Sequence, residues 1–478
     1  MKANDAHSAT KTAPAKDTPQ EALDQRATRK QRGKGLRKTC PRSSHGEVVL
    51  GQPKRDALAL IEQSSKGRVE KLLPIRFARM AESPFAFFRG TAIVQAHDLK
   101  GTPSAGVTVQ CCGDCHLMNF GGFATPERTL IFDINDFDET HPGPFEWDIK
   151  RLAASFVLAA RWLGLEDDDA REAVLAMLAA YRTTQAEFAE MSVLETWYAK
   201  IAFDELLHSF ETDPKYVKRL KKAVEKATQN TSEHVFHKIT KTVEGKPWIV
   251  EHPPLLYHAP SAEFDLERDV APFLKKYRGT LPHERQVLFD RFKLVDAAIK
   301  VVGVGSVGTR CYIVLFVGSQ DDHLFLQVKE ARASVLEGLA GPAPFPNNGE
   351  RVVIGQRIMQ SASDIFLGWT RGPQSDFYIR QMRDMKLAPN LTGYNPKMLG
   401  DYATLCGKTL ARAHAKSGEA ATIAGYVGNG AAFDDAIAQY ALAYADQVEK
   451  DYESFKAAIK TGRFPVETSP AELEEAIR

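Results

Sequence analysis

Cysteine is scarce in this chain, with six residues (Cys40, Cys111, Cys112, Cys115, Cys311 and Cys406) scattered over 478 positions. That spacing excludes a disulfide framework and fits reduced thiols. Long apolar runs are missing too. The longest, Leu152 to Ala160, stops at Arg161, well short of the ~20 residues that a membrane-spanning helix needs. Nor does an apolar core follow the first lysines, where Ala, Thr, Asp and Gln stand instead. A secretory signal is therefore not expected, and the expected location is the cytoplasm. No repeat of fixed period is present, and the net charge is only +1.

The small net charge hides an asymmetry. Residues 1–45 hold eleven Lys or Arg against four Asp or Glu, a surplus of seven that the remainder offsets with six excess acids. This segment is poor in large apolar side chains, so it lacks the surface whose burial would offset its ordering entropy. It is expected to be a disordered basic tail. Arg29, Lys30, Arg32, Lys34, Arg37 and Lys38 would give it weak contact with nucleic acid or an anionic surface.

What is present is ordinary globular material, 44% hydrophobic and 26% charged, enough for a large core. A helical pattern runs from Asp56 to Met80. Pro84 then forbids its continuation, and a short strand or turn is expected next. Val107 to Gln110 and Thr129 to Phe132 read as strands bracketing a polar segment, Gly113-Asp114-Cys115-His116-Leu117-Met118-Asn119. After Pro144 apolar residues recur at helical spacing to about Ala227. From Phe292 the pattern turns β-rich. Tyr312 to Val317 and Leu324 to Lys329 form a hairpin, a helix is expected over Glu350 to Gln360, and strands near Ile365 and Phe377. The chain from Lys397 is largely helical.

Phosphoryl transfer needs a carboxylate for the acceptor's proton and oxygen ligands for hard cations on the nucleotide phosphates. Protein kinases draw these from a loop with Asn five positions after the catalytic Asp, and from a second Asp ending a later strand. Asp114 and Asn119 have that spacing, and Asp133 ends an apolar strand fourteen residues on. Each alone is a common turn residue. Their order points to chemistry, with Asp114 as base and Asn119 and Asp133 as metal ligands. Asp136 competes with Asp133, because like charges so close are tolerated mainly around a cation. Spacing favours Asp133.

Gly303-x-Gly305-Ser306-x-Gly308 also fits a dinucleotide fingerprint. A Rossmann turn must open a helix, whereas Tyr312 to Val317 continues as strand, which is the kinase arrangement. Gly303, Gly305, Ser306 and Gly308 would then cover ATP phosphates, and Lys329 would reach them from the next strand. Glu350, or else Glu337, would be the partner of Lys329.

Gly-Asp-x-His-x-x-Asn followed by Ile-Phe-Asp resembles the core of aminoglycoside phosphotransferases and choline kinases, usually written His-Gly-Asp-x-His-x-x-Asn. Cys112 stands where those families place the first His. Pro144-Phe145-Glu146-Trp147-Asp148 resembles their Pro-x-x-Asp helix start, which implies that Asp148 supports the catalytic loop. More widely, Ser83 to Gly90, Gly113 to Gly121, Asn135 to Glu139, Pro144 to Asp148, Arg380 to Lys386 and Ala413 to Gly418 resemble an uncharacterised bacterial family of unknown function. That likeness covers nearly everything after the tail and implies a protein-kinase-like fold.

Gly303 follows Asp114, the reverse of the usual kinase order. The expected architecture is therefore α+β, a two-lobed kinase-like fold in circularly permuted order. Residues 46–290 would supply catalytic-lobe elements, 295–386 a nucleotide lobe, and 387–478 helices completing the catalytic lobe. Lys329 and Asp133 should then converge across one cleft. The expected activity is transfer of phosphate from ATP, with Mg2+ or Mn2+, to a hydroxyl on a small molecule or protein. Transfer of AMP, or a nucleotide-binding pseudoenzyme acting through partners, are the alternatives.

Other signals are weaker. Cys112-x-x-Cys115 lacks a second ligand pair for zinc. Arg76, Arg79 and Arg89 would be placed to stabilise transferred charge if they lie near the phosphates. His414, among small helical residues, reads as a packing histidine.

Overall fold

The computed structural model describes residues 19–50, 55–203, 221–222, 224–225, 232–259, 266–301, 303, 305–319, 322–382 and 386–467. Helices dominate the first hundred residues: Pro19–Leu36, Ala57–Ser65, Leu73–Met80, Pro84–Gly90 and Ala92–Leu99. The turn or strand expected after Ser83 is a helix instead. The Ser83 hydroxyl caps it by accepting from the Ala86 N–H at 3.1 Å. Pro84 stands in its first turn, where the missing N–H has no role.

Four short strands follow, β1 (Thr108–Cys111), β2 (Phe120–Ala124), β3 (Leu130–Ile134) and β4 (His141–Pro144). They form two antiparallel pairs, β1 with β4 and β2 with β3. The chain then enters the helix Phe145–Trp162, in which every residue from Phe145 to Ala160 is buried. A helix apolar on all sides sits inside a core, and this one also carries Glu146, Asp148, Lys150 and Arg151 into it. Helices Asp167–Glu190, Pro396–Ser417 and Ala432–Lys460 surround it.

A small hairpin, β5 (Thr240–Val243) with β6 (Lys246–Ile249), precedes the main sheet. That sheet comprises β7 (Leu256–Tyr257), β8 (Phe292–Lys300), β9 (Cys311–Gly318), β10 (His323–Ala331), β11 (Gly368–Arg371) and β12 (Asp376–Gln381). It is antiparallel, in the order β11-β12-β10-β9-β8-β7. The β9–β10 hairpin lies where the two β-branched and aromatic runs predict it, whereas β11 starts directly after Ile365-Phe366-Leu367. Between β10 and β11 runs the helix Asn348–Met359, capped by Asn347 Oδ1 on the Glu350 N–H at 3.1 Å. Its Val352, Val353 and Met359 join the core of the helical bundle. The result is a mixed helix-and-strand protein in which one helix couples the sheet to the bundle. Among the described residues no helix is long and apolar enough to cross a membrane.

The tail expected through residue 45 is corrected over its second half, while residues 1–18 lie outside the described residues. The helix Pro19–Leu36 packs against Ala420–Val427 through glycine and backbone. A Cβ on Gly33 would stand 2.1 Å from the Thr422 carbonyl oxygen. Arg37 Nε and Arg42 Nη1 donate to the Tyr426 and Val427 carbonyls at 2.9 and 2.8 Å. Such docking needs few large apolar residues, so composition concealed it. Lys30 and Arg29 face Glu190 and Glu419 at 3.5 and 3.8 Å. The loose basic arm presupposed for contact with nucleic acid is therefore partly engaged within the fold.

Candidate active site

The chain leaves β1 through a turn at Gly113, whose φ of +84° is one that side-chain-bearing residues seldom adopt. A Cβ there would lie 2.1 Å from the Glu139 carbonyl oxygen, so only glycine fits. Asp148, in the first turn of Phe145–Trp162, braces the turn. Its Oδ2 accepts from the Cys112 N–H at 2.6 Å and its Oδ1 from the Gly113 N–H at 3.0 Å. His414 Nε2 lies 3.3 Å from Asp148 Oδ2, and its Nδ1 lies 2.9 Å from the Tyr181 hydroxyl. Cys112, in place of the first His, donates its thiol to the Asp136 carbonyl at 3.3 Å and so ties this loop to the acidic one.

Arg151, three residues after Asp148, meets Asp114 Oδ1 through Nε at 2.8 Å and Nη2 at 2.7 Å. Gln95 Oε1 and the Phe88 carbonyl fix the same guanidinium at 2.9 and 2.8 Å. One oxygen of Asp114 is thereby held, and its side chain keeps 21% exposure to the cleft. His116 Nε2 lies 3.9 Å from Asp114 Oδ2. Burial lowers the His116 pKa to about 4, which keeps its ring neutral near pH 7. Asn119 Nδ2 donates to the Asp114 carbonyl at 2.7 Å, leaving the amide oxygen, which is the hard-cation ligand of that side chain.

The acidic loop after β3 meets the sheet at Asp138. Lys329 Nζ, on β10 and 3% exposed, forms an ion pair with Asp138 Oδ2 and lies 3.9 Å from Asp136 Oδ2. Burial alone would lower the Lys329 pKa, but Asp136 and Asp138 outweigh it and hold the ammonium above the usual lysine range. The Tyr378 hydroxyl donates to Asp138 Oδ1 at 2.8 Å, and the Ser306 hydroxyl to Asp138 Oδ2 at 3.3 Å. Glu139 accepts the Val335 N–H at 2.7 Å, and burial raises its carboxyl to about 6.

Asp114, Asn119, Asp136, Asp138, Gly303, Gly305 and Ser306 thus line one cleft of about 510 Å³. The two distant sequence segments meet, though not through Asp133. That side chain is wholly buried, forms an ion pair with Arg412 Nη2, and accepts from the Ser361 N–H and hydroxyl at 2.9 and 2.8 Å. It does not line the cleft. It belongs to β3 itself, opposite Gly121, whereas Asp136 and Asp138 stand beyond the strand end, where the chain turns into the cleft. Glu350 is likewise no partner of Lys329. It occupies the first turn of Asn348–Met359, while its neighbour Arg351 donates to the Asp138 carbonyl at 2.8 Å. Gly308 packs against Arg68, and its carbonyl accepts the Val69 N–H at 2.8 Å, outside the cleft lining.

Asp138, Tyr378 and Arg151 were missed as site residues. A signal for the acidic pair existed: Asp136-Phe137-Asp138 starts like the kinase Asp-Phe-Gly, whose Phe packs inward, and Phe137 is 2% exposed. Among the described residues no three His, Cys, Asp or Glu form a preformed metal cage. Magnesium typically takes one or two carboxylates plus substrate phosphates, and Asp136 and Asp138, with the Asn119 oxygen, fit that donor set.

The model of a bacterial family described as "Uncharacterized protein conserved in bacteria (DUF2252)" matches residues 68–458. No curated protein matches the chain. No solved structure matches it either.

Proposed function

The chain belongs to that bacterial family, and we propose that it is an ATP- and magnesium-dependent phosphotransferase with a kinase-like fold in circularly permuted order. The observation that carries this reading is Asp138, which Lys329 of β10 and Ser306 of the glycine loop both reach, in the cleft that Asp114 and Asn119 line. Element order supports it. Strand β8, the glycine loop, β9, the Lys329 strand β10 and then a helix follow one another as the kinase nucleotide lobe requires.

Asp136, Asp138 and Asn119 would hold magnesium, which supplies charge neutralisation at the β- and γ-phosphates when bound. Lys329 contributes positive charge from the sheet side, and Gly303 and Gly305 let backbone approach the phosphates. Asp114, oriented by Arg151, accepts the proton of the acceptor hydroxyl. The hydroxyl oxygen bonds to the γ-phosphorus, the bond to the β,γ-bridging oxygen breaks, and ADP leaves.

The test is thermal stabilisation by Mg2+ with a non-hydrolysable ATP analogue, alongside ATP turnover. Asp136→Ala should lose metal-dependent stabilisation, whereas Asp114→Ala should retain it and lose turnover. A wild-type protein indifferent to nucleotide and metal would refute the reading. The mass of a modified product separates phosphoryl from AMP transfer.

A further inference from the structure

The same cleft is lined by Arg68, Arg76, Arg89 and Arg332, and among the described residues none of the four forms an ion pair with a carboxylate. Three of them converge on Ser64, in the last turn of the helix Ala57–Ser65. Arg68 Nε and Arg332 Nη1 both donate to its carbonyl at 2.9 Å, and Arg76 Nη2 to its hydroxyl at 3.0 Å. Arg68 Nη1 also reaches the Val307 carbonyl in the glycine loop at 2.7 Å, and Arg76 Nη2 the Gly90 carbonyl at 2.9 Å. Carbonyl and hydroxyl oxygens satisfy donors without neutralising charge, and the carboxylates that act on Arg68, from Glu139, Asp138 and Glu330, do so only at longer range. Burial, with Arg332 adding to it, lowers the pKa of Arg68 to about 10 against the opposing pull of Glu139, Asp138 and Glu330, so these carboxylates offset its charge only in part.

Arg68, Arg76 and Arg332 have a structural use, since they fasten Ser64, Gly90 and Val307. Arg89 has none of that kind. Its side chain makes no hydrogen bond to a described residue, its Nε is buried without a partner, its guanidinium carbon lies 5.7 Å from the Phe85 ring centroid, and Asp114 and Glu82 act on it only through space. It stands in the last turn of the helix Pro84–Gly90, whose Phe88 carbonyl holds the Arg151 that orients Asp114. Arg89 therefore belongs to the side of the cleft where the proposed base stands, and Lys329 to the sheet side.

We propose that Arg89, in the field of Arg68 and Arg332, binds a phosphate-type oxyanion separately from the nucleotide. On the phosphotransferase reading, on which this last step rests, that oxyanion belongs to the acceptor, a phosphorylated molecule with a free hydroxyl. The planar guanidinium fork suits phosphate. The nucleotide phosphates already have Lys329, the metal ligands and the glycine loop.

Inorganic phosphate and pyrophosphate, titrated without metal against the full chain at matched chloride, should raise its melting temperature by mass action. The shift should add to that of Mg2+ with the non-hydrolysable ATP analogue. Arg89→Gln should weaken phosphate binding roughly tenfold or more and leave the analogue's shift in place, while Arg89→Lys restores part of the phosphate response. Competition between phosphate and analogue would overturn the proposal by assigning the arginines to the nucleotide. So would an absent phosphate shift, or an Arg89→Gln variant that loses the analogue instead. Arg89-dependent phosphate binding without any nucleotide response would retain the oxyanion site and refute the phosphotransferase reading separately.

Discussion

Lys329 and Asp138 form an ion pair although 191 positions separate them in the chain. Because the ammonium is buried, it depends on that carboxylate and on Asp136. Lys329→Met should leave Asp138, which is 26% exposed in the cleft and keeps the Tyr378 and Ser306 hydroxyls, without its ammonium and cost about 1–3 kcal/mol. It should also abolish nucleotide stabilisation. Urea unfolding gives the first quantity and calorimetric titration the second. Full retention of nucleotide affinity would remove Lys329 from the site.

Asp133 and Arg412 make the contrasting case of a buried pair with a structural role. Asp133→Ala should lower the unfolding free energy by about 3–5 kcal/mol, because Arg412 is left charged and without its carboxylate in the core. Adding Arg412→Leu should recover part of that loss. A double-mutant cycle measures the coupling, and additive losses would show that the pair does not act as a unit.

These two aspartates also show how far the site was legible in sequence. Asp114, Asn119 and the bracing role of Asp148 follow from spacing and resemblance, because a turn between short elements leaves little freedom in where its residues go. The choice between Asp133 and Asp136 was not legible. It depends on which residue still belongs to the strand, and Arg412, which claims Asp133, lies 279 residues away. The β9–β10 hairpin was legible because two runs of β-branched and aromatic residues, Tyr312 to Val317 and Leu324 to Lys329, stand close together in the chain, which is a local signal. β2 and β4 were not, since Phe120-Gly121-Gly122-Phe123-Ala124 and His141-Pro142-Gly143-Pro144 are rich in glycine and proline and take their form from pairing and burial. Arg89 stands out in the sequence beside Ser83 to Gly90, but only the fold shows that its neighbouring arginines have hydrogen-bond partners and it does not.

The docked N-terminal helix yields a third prediction. Gly33 lies against the Thr422 carbonyl, and a Cβ on Gly425 would stand 2.2 Å from the Lys30 carbonyl oxygen. Gly33→Val should therefore lift Pro19–Leu36 from the body. Trypsin should then cut at Arg29, Lys30 or Arg32 well before the core is attacked. If cleavage at these sites is as slow in the variant as in wild type, the close approach is not what holds the helix.

A fourth prediction concerns pH. Glu146 and Lys150 share the buried helix with Asp148 and Arg151 but serve no cleft residue. Glu146 Oε1 accepts the Ala105 N–H at 2.7 Å, while Oε2 and the Lys150 ammonium have no hydrogen-bond partner among the described residues. His45 Nε2 stands 4.0 Å from Glu146 Oε1, and burial holds its pKa at about 3, so it stays neutral. Burial raises Glu146 from 4.5 to about 7 and lowers Lys150 from 10.5 to about 8. The folded state thus keeps the Glu146 proton where the unfolded chain releases it. The resulting stability is fully present below pH ~4.5 and is lost as pH rises to about 7. Lys150 acts in the opposite sense, its charge penalty being relieved between about pH 8 and 10.5. Glu146→Gln keeps an acceptor for Ala105, removes the acidic limb and, by taking away the charge that supports the Lys150 ammonium, lets Lys150 lose its proton at lower pH, which changes stability with pH in the same direction. Relative to wild type, the variant should gain up to roughly 3 kcal/mol in unfolding free energy between pH 5 and pH 8. The comparison cancels groups that do not sense Glu146, Glu139 included. Urea unfolding at the two pH values decides it, and a mutant-minus-wild-type difference that does not change with pH would rule out a protonated Glu146 in the core.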